Sequence, residues 1–90
     1  IGGGVAEIVG RLLNELGSER QVLCVTHLPQ VAAQANWQWQ VRKATRDGVT
    51  LSAIQPLDDA GRVQEIARML GGVEITEITL QHAGELLSRK

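Results

Sequence analysis

A histidine closes a short apolar run in this sequence, Gln21-Val22-Leu23-Cys24-Val25-Thr26-His27, and a proline follows at position 29. Apolar runs of this kind read as strands, and in open α/β sheets ligands bind beyond the carboxyl ends of the strands. A neutral imidazole there can donate one hydrogen bond to a phosphate oxygen or a water while the backbone holds its other nitrogen. His27 could equally be a half-buried residue bonding locally near a helix start, and position alone leaves both readings open. A second candidate is the run Gly2-Gly3-Gly4 ahead of a helical pattern. Successive backbone N–H groups there could form an anion-binding nest, or the run could be a flexible lead-in. The Lys-Ser/Thr ending of a phosphate-binding P-loop does not follow these glycines.

The remaining chemically capable residues have simpler explanations. Cys24, inside the apolar run, reads as a small buried side chain. His82 reads as a surface residue of the last helix, and no Cys, His or acidic residue stands at metal-ligand spacing to either histidine. Trp37 and Trp39 could stack on bases, yet few basic residues surround them, which favours core or interface packing. Asp58-Asp59 reads as a helix cap, and no Ser-His-Asp pattern is present.

These candidates must be carried by a small set of elements. Val5, Ile8, Val9, Leu12, Leu13 and Leu16 form one apolar stripe at helical period, with Glu7, Arg11 and Glu15 at i,i+4 spacing opposite and Gly17 as a left-handed stop. The run 21–26 is rich in β-branched residues, as in a strand buried on both faces. Pro29 suits the first turn of a short helix, on which Leu28, Val31, Ala32 and Ala35 make a stripe. Two alternating segments, around Trp37–Lys43 and Val49–Gln55, then form a hairpin about Asp47-Gly48. A two-residue Asp-Gly loop would set Val41 opposite Ile54. A three-residue loop with Gly48 left-handed sets Val41 opposite Ala53 and gathers Trp39, Val41, Leu51 and Ala53 on one side; this cleaner apolar face favours the three-residue loop. Asp58 or Asp59 can cap a helix carrying Val63, Ile66, Ala67 and Leu70, stopped by Gly71-Gly72. Thr76 can cap a last helix that buries Leu80, Ala83 and Leu87 or their neighbours. The Gly72–Glu74 joint is the one linker candidate. The order describes an incomplete α/β layer, because a single parallel strand has no parallel partner within the chain.

Composition narrows the function classes. Ninety residues make at most one small domain with a modest core. A formal net charge of −1 provides no basic footprint for nucleic acid or an anionic membrane. One cysteine forms no internal disulfide and fits a reducing compartment. No apolar run approaches the ~18 residues of a membrane span, and no signal peptide is visible. The chain opens on Ile1 within a glycine run, which reads as a piece of something longer.

Taken together, "GGGVAEIVGRLLNELG", "QVLCVTHLPQVAAQA" and "RVQEIARMLGG" closely resemble the carboxyl-terminal end of the RecN family of bacterial double-strand-break repair proteins. These belong to the structural-maintenance-of-chromosomes (SMC) group of ABC-type ATPases. The likeness covers nearly the whole chain; "CVTHLPQVA" and "EIARMLGG" are its most specific parts, and the hairpin its least. It implies an α/β fold: a carboxyl-terminal lobe of a P-loop NTPase, spanning residues 1–90, with one parallel strand and a β-hairpin flanked by helices. It also implies that "IGGG" is the tail of a D-loop and that His27 matches the family's switch histidine, directed toward the γ-phosphate of ATP. Gly2, Gly3, Gly4 and His27 would then be the nucleotide-site residues, with His27 catalytic. The Walker A lysine, the signature motif and the Walker B Asp-Glu pair have no counterpart here. ATP and Mg2+ are therefore expected in a full-length parent and not in the isolated chain, which should neither bind ATP well nor hydrolyse it. The implied partners are a second ATPase head and, through the whole assembly, DNA in the bacterial cytoplasm and nucleoid. No membrane is implied, and the isolated piece is expected to self-associate. The competing expectation is a small non-enzymatic interaction module that binds through the Trp-bearing hairpin and the terminal helices.

Overall fold

The structure is a computed structural model that describes residues 2–72 and 74–89. Its elements run α1 (Gly3–Gly17), α2 (Pro29–Ala32), β1 (Trp39–Arg46), β2 (Val49–Pro56), α3 (Asp59–Gly71) and α4 (Glu77–Ser88). The fold is thus α/β, with one two-stranded antiparallel hairpin and helices on either side of it in sequence. Ile1, the first residue of "IGGG", lies outside the described residues. So does Val73, in the middle of the expected Gly72–Glu74 joint.

The core is built where local signals agree with packing. Asp58 caps α3, its Oδ1 accepting a hydrogen bond from the Gly61 N–H at 2.7 Å. Gly72 ends that helix with φ 71°, a conformation that suits glycine alone among common residues. Thr76 caps α4 in a reciprocal box with Thr79: each side chain accepts from the other residue's backbone N–H. The apolar faces of these helices close on α2. Ala32, Ala33, Ile66, Ala67, Ala83 and Leu86 are buried, with Val63, Leu70, Leu80 and Leu87 packed around them. Ile66 is fully enclosed.

Elsewhere the structure departs from the sequence-based expectations. Residues 21–26 form no strand; they run as irregular chain, and Leu23 and Val25 are 88% and 94% exposed. A strand needs a neighbour for its N–H and C=O groups, and among the described residues none lies beside this segment. Cys24 is accordingly exposed and not a buried core residue. Helix α1 forms, but its apolar stripe is not its buried face: Val5, Ile8, Leu12 and Leu16 are exposed, and Ala6 and Gly10 are buried instead. Small residues let α1 approach α2 closely. A Cβ on Gly10 would lie 3.1 Å from the Gln30 carbonyl oxygen and 2.8 Å from Gln34 Cγ. Gly17 is the last helical residue and not a left-handed cap, since Ser18 takes the cap position in right-handed geometry.

The hairpin also corrects the expected register. Val41 pairs with Ile54, Arg46 with Val49, and the loop is the two residues Asp47-Gly48. Asp47 at φ 50° and Gly48 at φ 78° give the turn whose twist matches the strands. Gathering apolar residues on one side had no force here, because both faces of this hairpin are largely exposed. Trp37 and Trp39, expected in core or interface packing, are 83% and 62% exposed and so are not core residues of this chain.

Candidate functional site

His27 is exposed at a bend between the irregular run and α2. Its neighbours in the chain are fixed on both sides. The Thr26 hydroxyl accepts a hydrogen bond from the Leu28 N–H at 3.0 Å. The Leu28 carbonyl, at the cap position of α2, accepts from the Val31 and Ala32 N–H groups at 3.1 and 3.0 Å. Pro29 at the start of the helix removes a donor that would have gone unpaired. His27 thus lies in a bend spanned by the Thr26–Leu28 hydrogen bond, directly before a residue whose backbone N–H and carbonyl are both bonded.

A single turn of helix does not hold itself, because nucleation costs more than one turn returns. Side chains from other elements hold α2. Asn14 of α1 donates to the Gln34 carbonyl at 2.6 Å and to Asn36 Oδ1 at 3.2 Å. From α3, Arg62 reaches across to the far end of the turn. Its guanidinium donates to the carbonyls of Ala32 and Ala35 at 3.2 and 3.0 Å and to Gln38 Oε1 at 3.1 Å. Arg62 is only 8% exposed. Burial lowers its pKa from the ordinary arginine value, while the charge of Asp59 acts in the opposite sense. Three acceptors around one guanidinium offset the cost of removing it from water.

The glycines begin α1 and do not form a loop ahead of it. Gly2 is extended at the cap position and its carbonyl accepts from the Ala6 N–H at 3.1 Å, while Gly3 and Gly4 are already helical. Neither Gly2, Gly3 nor Gly4 has positive φ, so the alternating geometry of a nest is not formed. Gly3 and Gln30 approach each other, a Cβ on Gly3 meeting Gln30 Nε2 at 3.4 Å. The starts of α1 and α2 therefore lie on one side of the molecule. His82 is exposed on α4.

Two shallow grooves of about 310 and 300 Å3 lie elsewhere. One runs between Gln40, Arg42, Gln64 and Arg68; the other lies beside Asp59, Val63 and Leu87. Glu65 and Arg68 at the first groove form an ion pair that raises the arginine pKa, chiefly through their hydrogen bond. Neither groove includes His27, Gly2, Gly3 or Gly4. Among the described residues, no three His, Cys, Asp or Glu side chains converge as metal ligands. No described helix is long and apolar enough to cross a membrane.

No family model matches the chain. Curated relatives do match. DNA repair protein RecN of Xylella fastidiosa (strain Temecula1) is 55% identical over 87 residues, 97% of this chain and 16% of that protein. The protein of the same name from Vibrio cholerae is 52% identical over 97% of the chain, and that from Bacillus subtilis 42% identical over 99%. This chain belongs to the RecN family. It spans about 16% of the length of these RecN relatives.

Within the RecN segment, Arg62 is the residue that sequence reasoning missed. It stands directly before the apolar stripe of α3, where a lone arginine reads as a solvated surface charge. The available signal was its place in the first turn. A cation there opposes the helix macrodipole, so its being there called for acceptors from some other element.

Proposed function

We propose that the RecN segment is the carboxyl-terminal lobe of an ATPase head, of the P-loop type found in SMC-like ABC proteins, acting in the repair of DNA double-strand breaks by recombination. In this reading His27 is the switch histidine. Its imidazole donates a hydrogen bond toward the γ-phosphate of ATP and the attacking water, an oriented donor that matters most as charge develops in the transition state. Gly2, Gly3 and Gly4 carry the chain from the D-loop into α1. The phosphate-cradling lysine, the Walker B carboxylates and the signature motif would come from other parts of a RecN polypeptide and from a second head. DNA would be engaged by that whole assembly, in the bacterial cytoplasm. Mg2+ accompanies ATP in such sites; among the described residues no three His, Cys, Asp or Glu side chains converge to hold it.

The observation that supports this reading is the exposure of His27 at a bend spanned by the hydrogen bond from the Leu28 N–H to the Thr26 hydroxyl, with the first turn of α2 held behind it. A histidine serving only to fill space would be covered. A second reading, a non-enzymatic interaction module, draws on the exposed hairpin face of Trp39, Val41 and Ile54.

The test is His27→Ala in a full-length RecN polypeptide carrying these residues. Loss of one oriented donor should lower ATP turnover by about 10²–10³, or about 3–4 kcal/mol. An exposed residue adds little to the core, so the thermal melt should hardly move. Turnover within about twofold of the parent at saturating ATP would return His27 to a structural role and leave the interaction module standing.

A further inference from the structure

We infer that Arg62 is a positioning residue for His27, acting through α2; the inference rests on the switch-histidine reading above. His27 adjoins Leu28, the cap residue of a one-turn helix, and Arg62 grips its last residue, Ala32. Residues 28 to 32 span about 6 Å along a helix axis, so the gripped end and the histidine are separated by a single turn. Packing buries Pro29, Val31 and Ala32 of that turn, and hydrogen bonds set its direction. Its start is tied by Thr26 and by its own backbone, and one side rests on Gly10 and Asn14 of α1. Among the described residues Arg62 is the side chain that donates to its far carbonyls, Ala32 and Ala35, the first of which also accepts from the Ala35 N–H, and the same guanidinium holds Gln38 at the entry to the hairpin. Gln38 is itself fixed, because its carbonyl accepts from the Leu57 N–H at 2.9 Å. Arg62 therefore references α2 to two bodies at once, the core helix α3 and the base of the hairpin.

The chemistry of this grip is specific to arginine. A planar guanidinium presents several donors in a fixed fork, and here three acceptors from two segments surround it. A lysine would satisfy fewer of them and would not fix their relative direction. Without Arg62 the Ala32 and Ala35 carbonyls lose a charged donor, the turn is free to shift, and the histidine at its head shifts with it. A displacement of about 1 Å at a catalytic group can cost about a hundredfold in rate. Nucleotide affinity depends on groups outside this segment, so the loss falls on turnover.

The experiment is a double-mutant cycle in a full-length RecN polypeptide carrying these residues, with His27→Ala, Arg62→Ala and the double variant measured by steady-state ATP hydrolysis and thermal melting. Arg62→Ala should lower kcat by about ten- to a hundredfold with KM for ATP within about twofold. In the His27→Ala background it should have no further effect beyond about twofold, because there is no imidazole left to misplace. Arg62→Lys should recover part of kcat. If the two losses multiply, Arg62 acts independently of His27; the inference then fails while the switch-histidine reading survives. If His27→Ala alone is silent, that reading fails first and the inference with it. Where Arg62→Ala gives no cooperative melt, Arg62→Lys replaces it in the cycle, and undiminished kcat in that variant overturns the inference.

Discussion

Gly10 and Gly84 allow one chemical change to be tested in two environments. Each is a glycine inside a helix, α1 and α4 respectively. Replacing a helical glycine by alanine gains about 0.8–1 kcal/mol from backbone entropy and propensity. At Gly84 nothing lies within 4 Å of the added Cβ, so the gain should appear nearly undiminished. At Gly10 the same Cβ would stand 2.8 Å from Gln34 Cγ, 3.1 Å from Gln34 Cβ and 3.1 Å from the Gln30 carbonyl oxygen. Two of those atoms belong to backbone or to the root of a side chain, and Gln34 is itself buried at 6% exposure. Rotating one side chain does not relieve the contact; α1 must move away from α2. Overpacking of this kind costs about 1–3 kcal/mol. The cost exceeds the propensity gain over most of that range, and the net change should be a loss of up to about 2 kcal/mol.

The assay is equilibrium urea unfolding of the 90-residue chain, all variants at one protein concentration because association makes apparent stability concentration-dependent. Gly84→Ala should raise the midpoint and Gly10→Ala lower it, with similar slopes. In thermal melts about 1 kcal/mol corresponds to about 4–8 °C for a domain of this size. Gly10→Ala matching the rise of Gly84→Ala would refute the close approach of α1 to α2, and with it the argument that α1 braces the turn behind His27.

Two further outcomes follow from burial. Ile66, fully enclosed among α2, α3 and α4, should cost about 2–5 kcal/mol as Ile66→Ala and about 0.5–1.5 as Ile66→Val, read from the same urea curves. The exposed apolar residues Val5, Ile8, Leu12, Leu16, Leu23 and Val25 should drive the isolated chain to self-associate; sedimentation showing a single monomeric species at high micromolar concentration would count against this.

What could be read from the sequence was what a few neighbouring residues decide. Asp58 and Thr76 as caps, Gly72 as a stop, and Ile66 and Ala67 as core all follow from interactions within one or two turns of helix. The Asp47-Gly48 turn was equally local, and its two left-handed residues were the better guide to register. Weighing apolar gathering above turn chemistry gave the wrong pairing, because that criterion presumes a buried face, and β1 and β2 have none. The run 21–26 fails for the opposite reason. Its composition is that of a strand, but pairing is a property of two segments, and among the described residues no second segment lies beside it. The stripe on α1 follows the same logic: a helix face becomes core only against something, and here the available surface, α2, fits Ala6 and Gly10.

The site divides along this line. His27 could be singled out because a histidine closing an apolar run is locally odd. Arg62 could not, because what makes it matter is three acceptors at sequence separations of 24 to 30 residues. Each of those acceptors is a backbone carbonyl or a glutamine oxygen, groups with no signature of their own. A buried guanidinium is costly unless fully bonded. Its presence in the first turn of α3, where the helix dipole disfavours it, shows that the tertiary contact outweighs the local preference. A residue held against its local preference by contacts to the segment carrying His27 is the physical ground for treating the two as one unit.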